Sequence, residues 1–242
     1  MKIIRVIYLL VVCWVMVGCA YQRTDNALSG ISDERRLALA QAHILLGQFA
    51  LSKAQLDQVS EAHQGRNYWR LRNLYWFNAG KESKALAEHE RALSLYPDDD
   101  FILNNYGVLL GKTNHWQKAC HEFKKASLGG YSARQSVWIN LSRCELRQFD
   151  VKLSEKDLNR AKEIDDLPLI GLMTELNLVL IRGNLSKARL ILNNIQADTK
   201  HATNGVYFDE YNCLSRQVIA RETDPTIYSS ASTLTCLDRS RY

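Results

Sequence analysis

Cysteine is the residue type in this chain with the widest choice of chemistry. A thiolate can bind a metal ion, attack a substrate, carry an acyl group or form a disulfide. Zinc sites need cysteines or histidines at short, fixed spacings, but the chain has no Cys-x-x-Cys pair and its six histidines are dispersed. We therefore expect no metal site and no cofactor. The six cysteines are Cys13, Cys19, Cys120, Cys144, Cys213 and Cys236.

The aspartate run from Asp98 to Asp100 is the other candidate metal site. It follows Pro97 and precedes a predicted helix, where aspartates cap free amide groups and favour the helix dipole, so capping is the better explanation. The glycine pair at 129–130 is not followed by Lys-Ser or Lys-Thr, as a phosphate loop requires. His43 and His89 fall at packing positions of the repeat described below. No catalytic constellation emerges, and we expect that the protein is not an enzyme.

Residues 1–18 are predicted to be an export signal. Lys2 and Arg5 precede an uncharged run of 12 residues from Val6 to Val17. A membrane-spanning helix needs roughly 20 apolar residues, so this run is too short to span a bilayer and is expected to be cleaved off.

The end of this segment, Met16-Val17-Gly18-Cys19, resembles the lipobox of bacterial lipoproteins. The resemblance implies that Cys19 is acylated and becomes the first residue of the mature chain. Lipoproteins kept in the inner membrane usually have Asp after this cysteine, and Ala20 stands here instead. We therefore expect a lipid anchor in the outer membrane, on its periplasmic face. The alternative is a plain cleaved signal with a stray cysteine.

The charge of the mature chain excludes a strongly electrostatic partner. Removal of residues 1–18 takes away Lys2 and Arg5, leaving 29 basic and 26 acidic residues among 224, a net charge of +3. Nucleic-acid binding demands a dense basic face, whereas the basic residues here are scattered among acids. We expect no nucleic-acid partner.

The fold class follows from a repeat. Apolar residues recur every three to four positions, and three prolines and 12 glycines in 242 residues predict an all-α chain. A step of 34 residues maps Trp69 onto Leu103 and Ala85 onto Ala119, which is the period of the tetratricopeptide repeat (TPR). Gly107 and Ala119 fall where the two helices of a repeat cross most closely, so larger side chains would push the helices apart.

The period predicts a TPR superhelix of about six helix-turn-helix repeats. The sixth is degenerate, as terminal repeats often are, because one face meets water. Residues 19–32 are poor in apolar side chains and are predicted to be a flexible tether. The predicted organisation is a signal peptide at 1–18, a lipidated tether at 19–32 and a single TPR domain at 33–242.

Four cysteines remain after the signal and the lipid site, an even number in an oxidising compartment. The repeat places Cys120 and Cys144 at adjacent ends of antiparallel helices in the third and fourth repeats. Cys213 and Cys236 are opposed in the same way in the last repeat. We predict two disulfides, Cys120 with Cys144 and Cys213 with Cys236. Free buried thiols are the alternative.

Stacked TPR hairpins line their inner side with residues of each first helix, and these residues are largely apolar here. Such a lane, edged by single cations, suits the apolar face of a partner helix. The alternative is that some of these residues are buried inside a tighter superhelix. Ile139, Arg143 and Leu146 extend the lane into the fourth repeat. The predicted partner-binding groove consists of Leu37, Gln41, Ile44, Arg70, Leu74, Phe77, Asn104 and Val108.

The third repeat carries a more specific pattern. Leu-Asn-Asn-Tyr-Gly-Val-Leu-Leu at 103–110, followed by Trp116, Ala119 and Phe123, resembles the PilF/PilW family of type IV pilus biogenesis lipoproteins. Members of this family have a Leu-Asn-Asn-Tyr-Gly motif in their middle repeats, begin with a lipobox and contain six repeats. The layout agrees from Cys19 to about Leu237, and the specific similarity covers repeats two to four.

The resemblance implies that the protein is a pilotin. Pilotins bind the secretin subunit of the pilus, carry it to the outer membrane and enable its multimerisation into a pore. By resemblance, the apolar groove of the first repeats is the secretin site, with Leu37, Ile44, Leu74 and Phe77 as its main residues. We expect a monomer.

The chain departs from the TPR pattern at Asn73, which stands where a small residue is common, and at Ser52 and Val59, which replace alanines. These departures affect the shape expected for the groove. The alternative function is that of another outer-membrane TPR lipoprotein, such as a barrel-assembly component or a protease adaptor. An enzyme on a helical-repeat scaffold is a further alternative, for which no catalytic residues are visible.

Overall fold

The structure is a computed structural model that describes residues 30–129, 135–198, 207–224, 226–227, 233 and 235–237. The predicted signal peptide, Cys19 and all but the last three residues of the predicted tether lie outside these residues. The chain forms two compact units, residues 1–79 and 80–242, and each is described by itself. The described residues form 11 α-helices and no strands, so the predicted all-α fold is confirmed. The single TPR domain over 33–242 stays a prediction.

The described residues of the first unit, 30–79, form three α-helices. Both α1 and α2 pack against α3, and they also pack against each other as an antiparallel hairpin. Ala40 of α1 and Leu56 of α2 are buried in this unit. The helices are α1 (Asp33–Leu45), α2 (Phe49–Leu56) and α3 (Arg66–Asn78), with a 3₁₀ turn at Glu61–His63.

The other eight described helices lie in the second unit. Each helix from α4 onward packs against the next one in the chain, and α9 also packs against α7 and α11. Hairpins therefore stack through their first helices, as TPR units do. The helices are α4 (Glu82–Leu95), α5 (Asp100–Lys112), α6 (Trp116–Ser127), α7 (Gln135–Arg147), α8 (Val151–Ile164), α9 (Leu169–Ile181), α10 (Leu185–Asp198) and α11 (Phe208–Thr223).

Five of the turns between consecutive helices share one backbone feature. Each of these turns contains one residue in the left-handed region, with φ between 62° and 73°. Glycine adopts this region without strain, and asparagine tolerates it, whereas a bulky Phe149 is unusual there. Successive residues with this conformation are 33 to 35 positions apart in the sequence, which agrees with the predicted period of 34. The residues are Gly47, Gly80, Asn114, Phe149 and Gly183.

Two local predictions about α5 can be read directly from its contacts. Asp99 precedes α5, and its Oδ1 accepts a hydrogen bond from the backbone N–H of Ile102 at 3.1 Å, so the aspartate run caps the helix as predicted. Gly107 lies where α5 crosses α6, and a Cβ added there would lie 2.5 Å from Cε1 of Phe123. The close crossing predicted at Gly107 is therefore present.

Described residues near the end of the chain contact earlier helices of the second unit. The guanidinium of Arg221 in α11 donates to the carbonyl of Leu180 at 2.7 Å and also to the Thr233 hydroxyl. Leu237 is buried in a cluster with Leu146, and its carbonyl accepts from Arg147 at 2.6 Å. Within the described residues, none of the helices is both long enough and apolar enough to cross a bilayer.

Candidate functional site

The first unit separates the predicted groove residues into buried and accessible ones. Leu37 and Ile44 of α1 are 8% and 5% exposed, so they are part of the packed interior and offer little surface to a partner. Gln41, one turn from each, is exposed. The expected groove surface is therefore not found at Leu37 and Ile44, because a tighter packing of α1 buries them.

The accessible part of the predicted groove in this unit is on α3. Arg70, Leu74 and Phe77 are each half-buried. They are spaced by four and three residues, so they lie on one face of the helix. This face combines two large apolar side chains with one cation, as the sequence led us to expect.

In the second unit, the predicted groove residues of α5 are engaged within the fold. Asn104 is 8% exposed, and its Oδ1 accepts a hydrogen bond from Nδ2 of Asn140 on α7 at 3.0 Å. Val108 is half-buried against a cluster that contains Leu110 and Phe123. Asn104 therefore links neighbouring first helices instead of facing a partner.

A buried ion pair lies at inner positions of the first helices further along the second unit. Arg143 of α7 and Glu210 of α11 are both fully buried and joined by two hydrogen bonds, of 3.0 Å and 2.7 Å. Thr174 and Asn177 of α9 complete the network, since Thr174 accepts from Arg143 at 3.2 Å and Asn177 donates to Glu210 at 3.4 Å. The alternative of a tighter superhelix, with these positions buried, thus holds around Arg143.

Sequence reasoning missed Glu210 as the partner of Arg143. The signal was present, because Arg143, Asn177 and Glu210 are separated by 34 and 33 residues and so occupy nearly equivalent repeat positions. A polar residue at the same inner position of three successive repeats predicts a hydrogen-bonded ladder across their first helices.

A groove of about 410 Å³ lies over α7 between α6 and α8. Its lining includes Trp138, stacked by the Arg160 guanidinium with its carbon 4.5 Å from the ring centre. Two buried acids, Glu145 and Asp157, also line it, and Arg160 donates to Asp157 at 2.9 Å. Burial, and then the neighbouring Asp157, raise the pKa of Glu145 to about 8. The sequence offered no signal for this carboxyl pair, because the two acids belong to different helices.

A smaller groove of about 300 Å³ follows over α9 between α8 and α10, and it is polar. The carboxylate of Glu175 is 2.8 Å from the Lys162 ammonium and 2.9 Å from that of Lys187. Its charge is therefore compensated by residues of this chain on both sides.

Four of the six cysteines form the two expected pairs. Cys120 and Cys144 are joined across α6 and α7, with Cα atoms 5.5 Å apart, and Cys213 and Cys236 are joined at the end of the chain, with Cα atoms 5.4 Å apart. Cys19, the predicted lipid site, lies outside the described residues. The part of the chain that the structure describes contains no cluster of three or more potential metal ligands.

Buried histidine and asparagine side chains behave as packing residues. His89 is fully buried, and its Nδ1 lies 2.8 Å from the carbonyl of Ala85. Burial lowers the pKa of His89 to about 4, so it is neutral at pH 7. Asn73, which departs from the repeat pattern, is also fully buried.

Stacked hairpins with a 34-residue period and left-handed turns define a TPR protein. Solved structures share this fold over most of the chain. PilF of Pseudomonas aeruginosa matches with a TM-score of 0.63 at 14% identity, over 85% of this chain and 88% of that one. PilW, described as a widely conserved type IV pilus biogenesis factor, matches with a TM-score of 0.61 at 17% identity, over 84% and 98%.

Two further proteins are similar to this chain. A TPR protein from Parabacteroides merdae matches with a TM-score of 0.55 at 16% identity, over 86% of this chain and 84% of that one. By sequence, the chain is 28% identical over 141 residues to human cilia- and flagella-associated protein 70. That match covers 57% of this chain and only 12% of the human protein. No protein-family model matches the chain.

Proposed function

We propose that the chain is an outer-membrane lipoprotein that acts as the pilotin of a type IV pilus secretin. The observation that carries this proposal is the fold shared with PilF and PilW over at least 84% of each chain. The Leu-Asn-Asn-Tyr-Gly motif at 103–107 and the lipobox ending at Cys19 support it from the sequence. The protein acts by binding another protein and not by catalysis.

In this proposal, membrane anchoring and partner binding belong to different parts of the chain. Acyl chains on Cys19 supply the membrane address, because two or more buried chains anchor durably whereas one binds only marginally. The TPR hairpins supply the choice of partner. The anchored protein brings the bound secretin to the outer membrane from the periplasmic side.

The half-buried face of α3 is the proposed secretin site. Leu74 and Phe77 present apolar surface, and Arg70 on the same face provides one cation. An amphipathic helix of the secretin would lay its apolar side against this face and place an acidic residue near Arg70. Leu37 and Ile44 support the unit from within instead of touching the partner.

A negative charge introduced on this face of α3 tests the proposed secretin site. Phe77→Asp places a carboxylate in the apolar contact, which should lower secretin binding at least about tenfold. The measurement is a pull-down of the secretin from detergent-solubilised envelope by mature wild-type and variant chains, with the secretin quantified by mass spectrometry. Helical content is followed by circular dichroism.

Asn67→Asp is the matched control, since Asn67 is exposed on the same helix and gains the same charge. It should bind as the wild type does. Equal secretin recovery by Phe77→Asp and Asn67→Asp would remove the α3 site. Absence of any secretin with the wild-type chain would reject the pilotin function itself.

A further inference from the structure

The turn between α1 and α2 exposes a cluster of leucines. Leu45, Leu46 and Leu51 are 76%, 70% and 51% exposed, and we call these three residues the leucine tip. The surrounding segment, residues 44–52, contains no charged residue. Large apolar side chains exposed together, without charges between them, mark a surface that is covered in its working state.

The backbone N–H groups of residues 46–48 are paired within the chain. The backbone N–H groups of Leu46, Gly47 and Gln48 donate to carbonyls in the last turn of α1 at 2.8 to 3.1 Å. The Gln48 side-chain oxygen lies 2.7 Å from Nδ1 of His43. The first N–H groups of α2, from Phe49 to Leu51, have no side-chain cap, so this backbone suits the hydrated headgroup level of a bilayer and not its hydrocarbon centre. The tip therefore offers uncharged apolar side chains that suit the boundary between headgroups and acyl chains.

The chain that precedes the first unit brings a lipid surface within reach. From Cys19 to Gly30, 11 residue steps can span at most roughly 40 Å. Helix α1, with 13 residues, is roughly 20 Å long, and the tip lies at its far end from the tether. An anchor at Cys19 thus keeps the tip within about 60 Å of the bilayer, a distance at which the tip can reach its surface.

We propose that the leucine tip inserts into the surface of the membrane that holds the lipid on Cys19. This inference rests on the lipid anchor of the proposed function. The anchor makes insertion intramolecular, so a contact too weak to recruit a free protein is sufficient once the chain is tethered. With its two ends held, α1 lies along the bilayer and the first unit has a fixed orientation toward it.

Photocrosslinking tests this contact without relying on cellular lipidation. The mature chain, beginning at Cys19, is coupled through that thiol to maleimide lipids in vesicles of phosphatidylethanolamine with a minor fraction of phosphatidylglycerol. The other four cysteines are held in disulfides. Leu46 is replaced by the photocrosslinker benzoylphenylalanine, and lipid adducts are counted by mass spectrometry after illumination.

The control carries the same photocrosslinker in place of Ala62, which is exposed in the 3₁₀ turn of the same unit. We expect several-fold more lipid adduct at position 46 than at position 62. Adding Leu45→Asp and Leu51→Asp should reduce the adduct at 46 to the level at 62. Both leucines are exposed, so these changes leave the unit folded.

Equal adduct yields at positions 46 and 62 would overturn the proposal. So would crosslinks from position 46 to a second copy of the chain, which would make the tip a dimer contact. Because no secretin is present and the anchor is chemical, failure here leaves the pilotin function untouched. Loss of secretin binding in cells would likewise leave this result unchanged.

Discussion

Arg143 and Glu210 are fully buried and joined by two hydrogen bonds across α9. A bidentate pair of this kind is costly to desolvate, so its net contribution to stability is small as long as both partners are present. Its importance appears when one partner is removed, because the remaining charge is then buried without compensation. The pair fixes how the first helices of three successive hairpins align.

Arg143→Met should therefore destabilise the protein by about 3 to 5 kcal/mol. The measurement is urea unfolding followed by circular dichroism. Arg182→Met is the control, because Arg182 pairs with Glu155 at the exposed surface, where an ion pair contributes about 1 kcal/mol or less. The double change Arg143→Met with Glu210→Leu should recover most of the loss. Equal effects of Arg143→Met and Arg182→Met would contradict the role of the buried pair.

Glu145 makes stability depend on pH. Burial and the nearby Asp157 raise its pKa in the folded protein to about 8 from a usual value of 4.5. Between about pH 4.5 and pH 8, the folded state therefore keeps the Glu145 proton that the unfolded state has released. The contribution of Glu145 to the free energy of unfolding is full below about pH 4.5 and is lost as pH rises toward 8. His89 has the opposite effect. Because its pKa in the folded protein is lowered to about 4, its contribution to stability is lost as pH falls from 6.5 toward 4.

Glu145→Gln should remove the Glu145 part of this dependence. Its free energy of unfolding, relative to wild type, should increase from about pH 5 to about pH 8 by roughly 1 to 3 kcal/mol and then level off. Urea titrations of both proteins across this range give the difference, in which the shared contribution of His89 cancels. Parallel curves for the two proteins would show that Glu145 does not hold the proton.

At the scale of the elements, the close crossing of α5 and α6 depends on the absence of a side chain at Gly107. The ring of Phe123 occupies the space in which a Cβ at position 107 would lie, with its nearest ring atom 2.5 Å away. On α6, the buried Ala119 and Ala126 pack in clusters with Leu110 and Leu103 of α5. The spacing of the two helices is therefore set at Gly107.

Gly107→Ala should cost about 1 to 3 kcal/mol, because the added methyl group pushes Phe123 or the helices apart. Thermal and urea unfolding measure the loss. Gly65→Ala is the control, since a Cβ at Gly65 meets no atom within 4 Å and the expected loss is that of a glycine N-cap of α3, about 1 kcal/mol or less. A loss at Gly107 no larger than that at Gly65 would mean that the crossing tolerates a side chain.

At the scale of the whole molecule, membrane address and partner choice should be separable. In the proposed function, Cys19→Ala removes the anchor and leaves every residue of the α3 site unchanged. Secretin multimers in the outer-membrane fraction should therefore fall to the level of a deletion strain. Pull-down of the secretin by the soluble variant should equal that by the wild-type chain. Normal secretin multimers in cells with Cys19→Ala would rule out the carrier mechanism.

The sequence by itself determined the helices, their turns and their local packing. Helix ends depend on neighbours within a few residues, as at Asp99, and the 34-residue step places equivalent residues, such as Gly107 and Ala119, at equivalent contacts. The disulfide pairs could be predicted for the same reason, because antiparallel hairpins bring Cys120 next to Cys144.

Only the tertiary structure decided which inner residues stay accessible. The repeat pattern marks Leu37, Ile44 and Asn104 as groove residues, yet all three are buried. Arg143 and Glu210 are 67 residues apart, and their contact depends on how closely three successive first helices approach. The repeat spacing places the two residues at equivalent positions, but the distance between their helices is the sum of many packing contacts, each set by side-chain volumes on both partners, so the spacing alone does not determine that they touch.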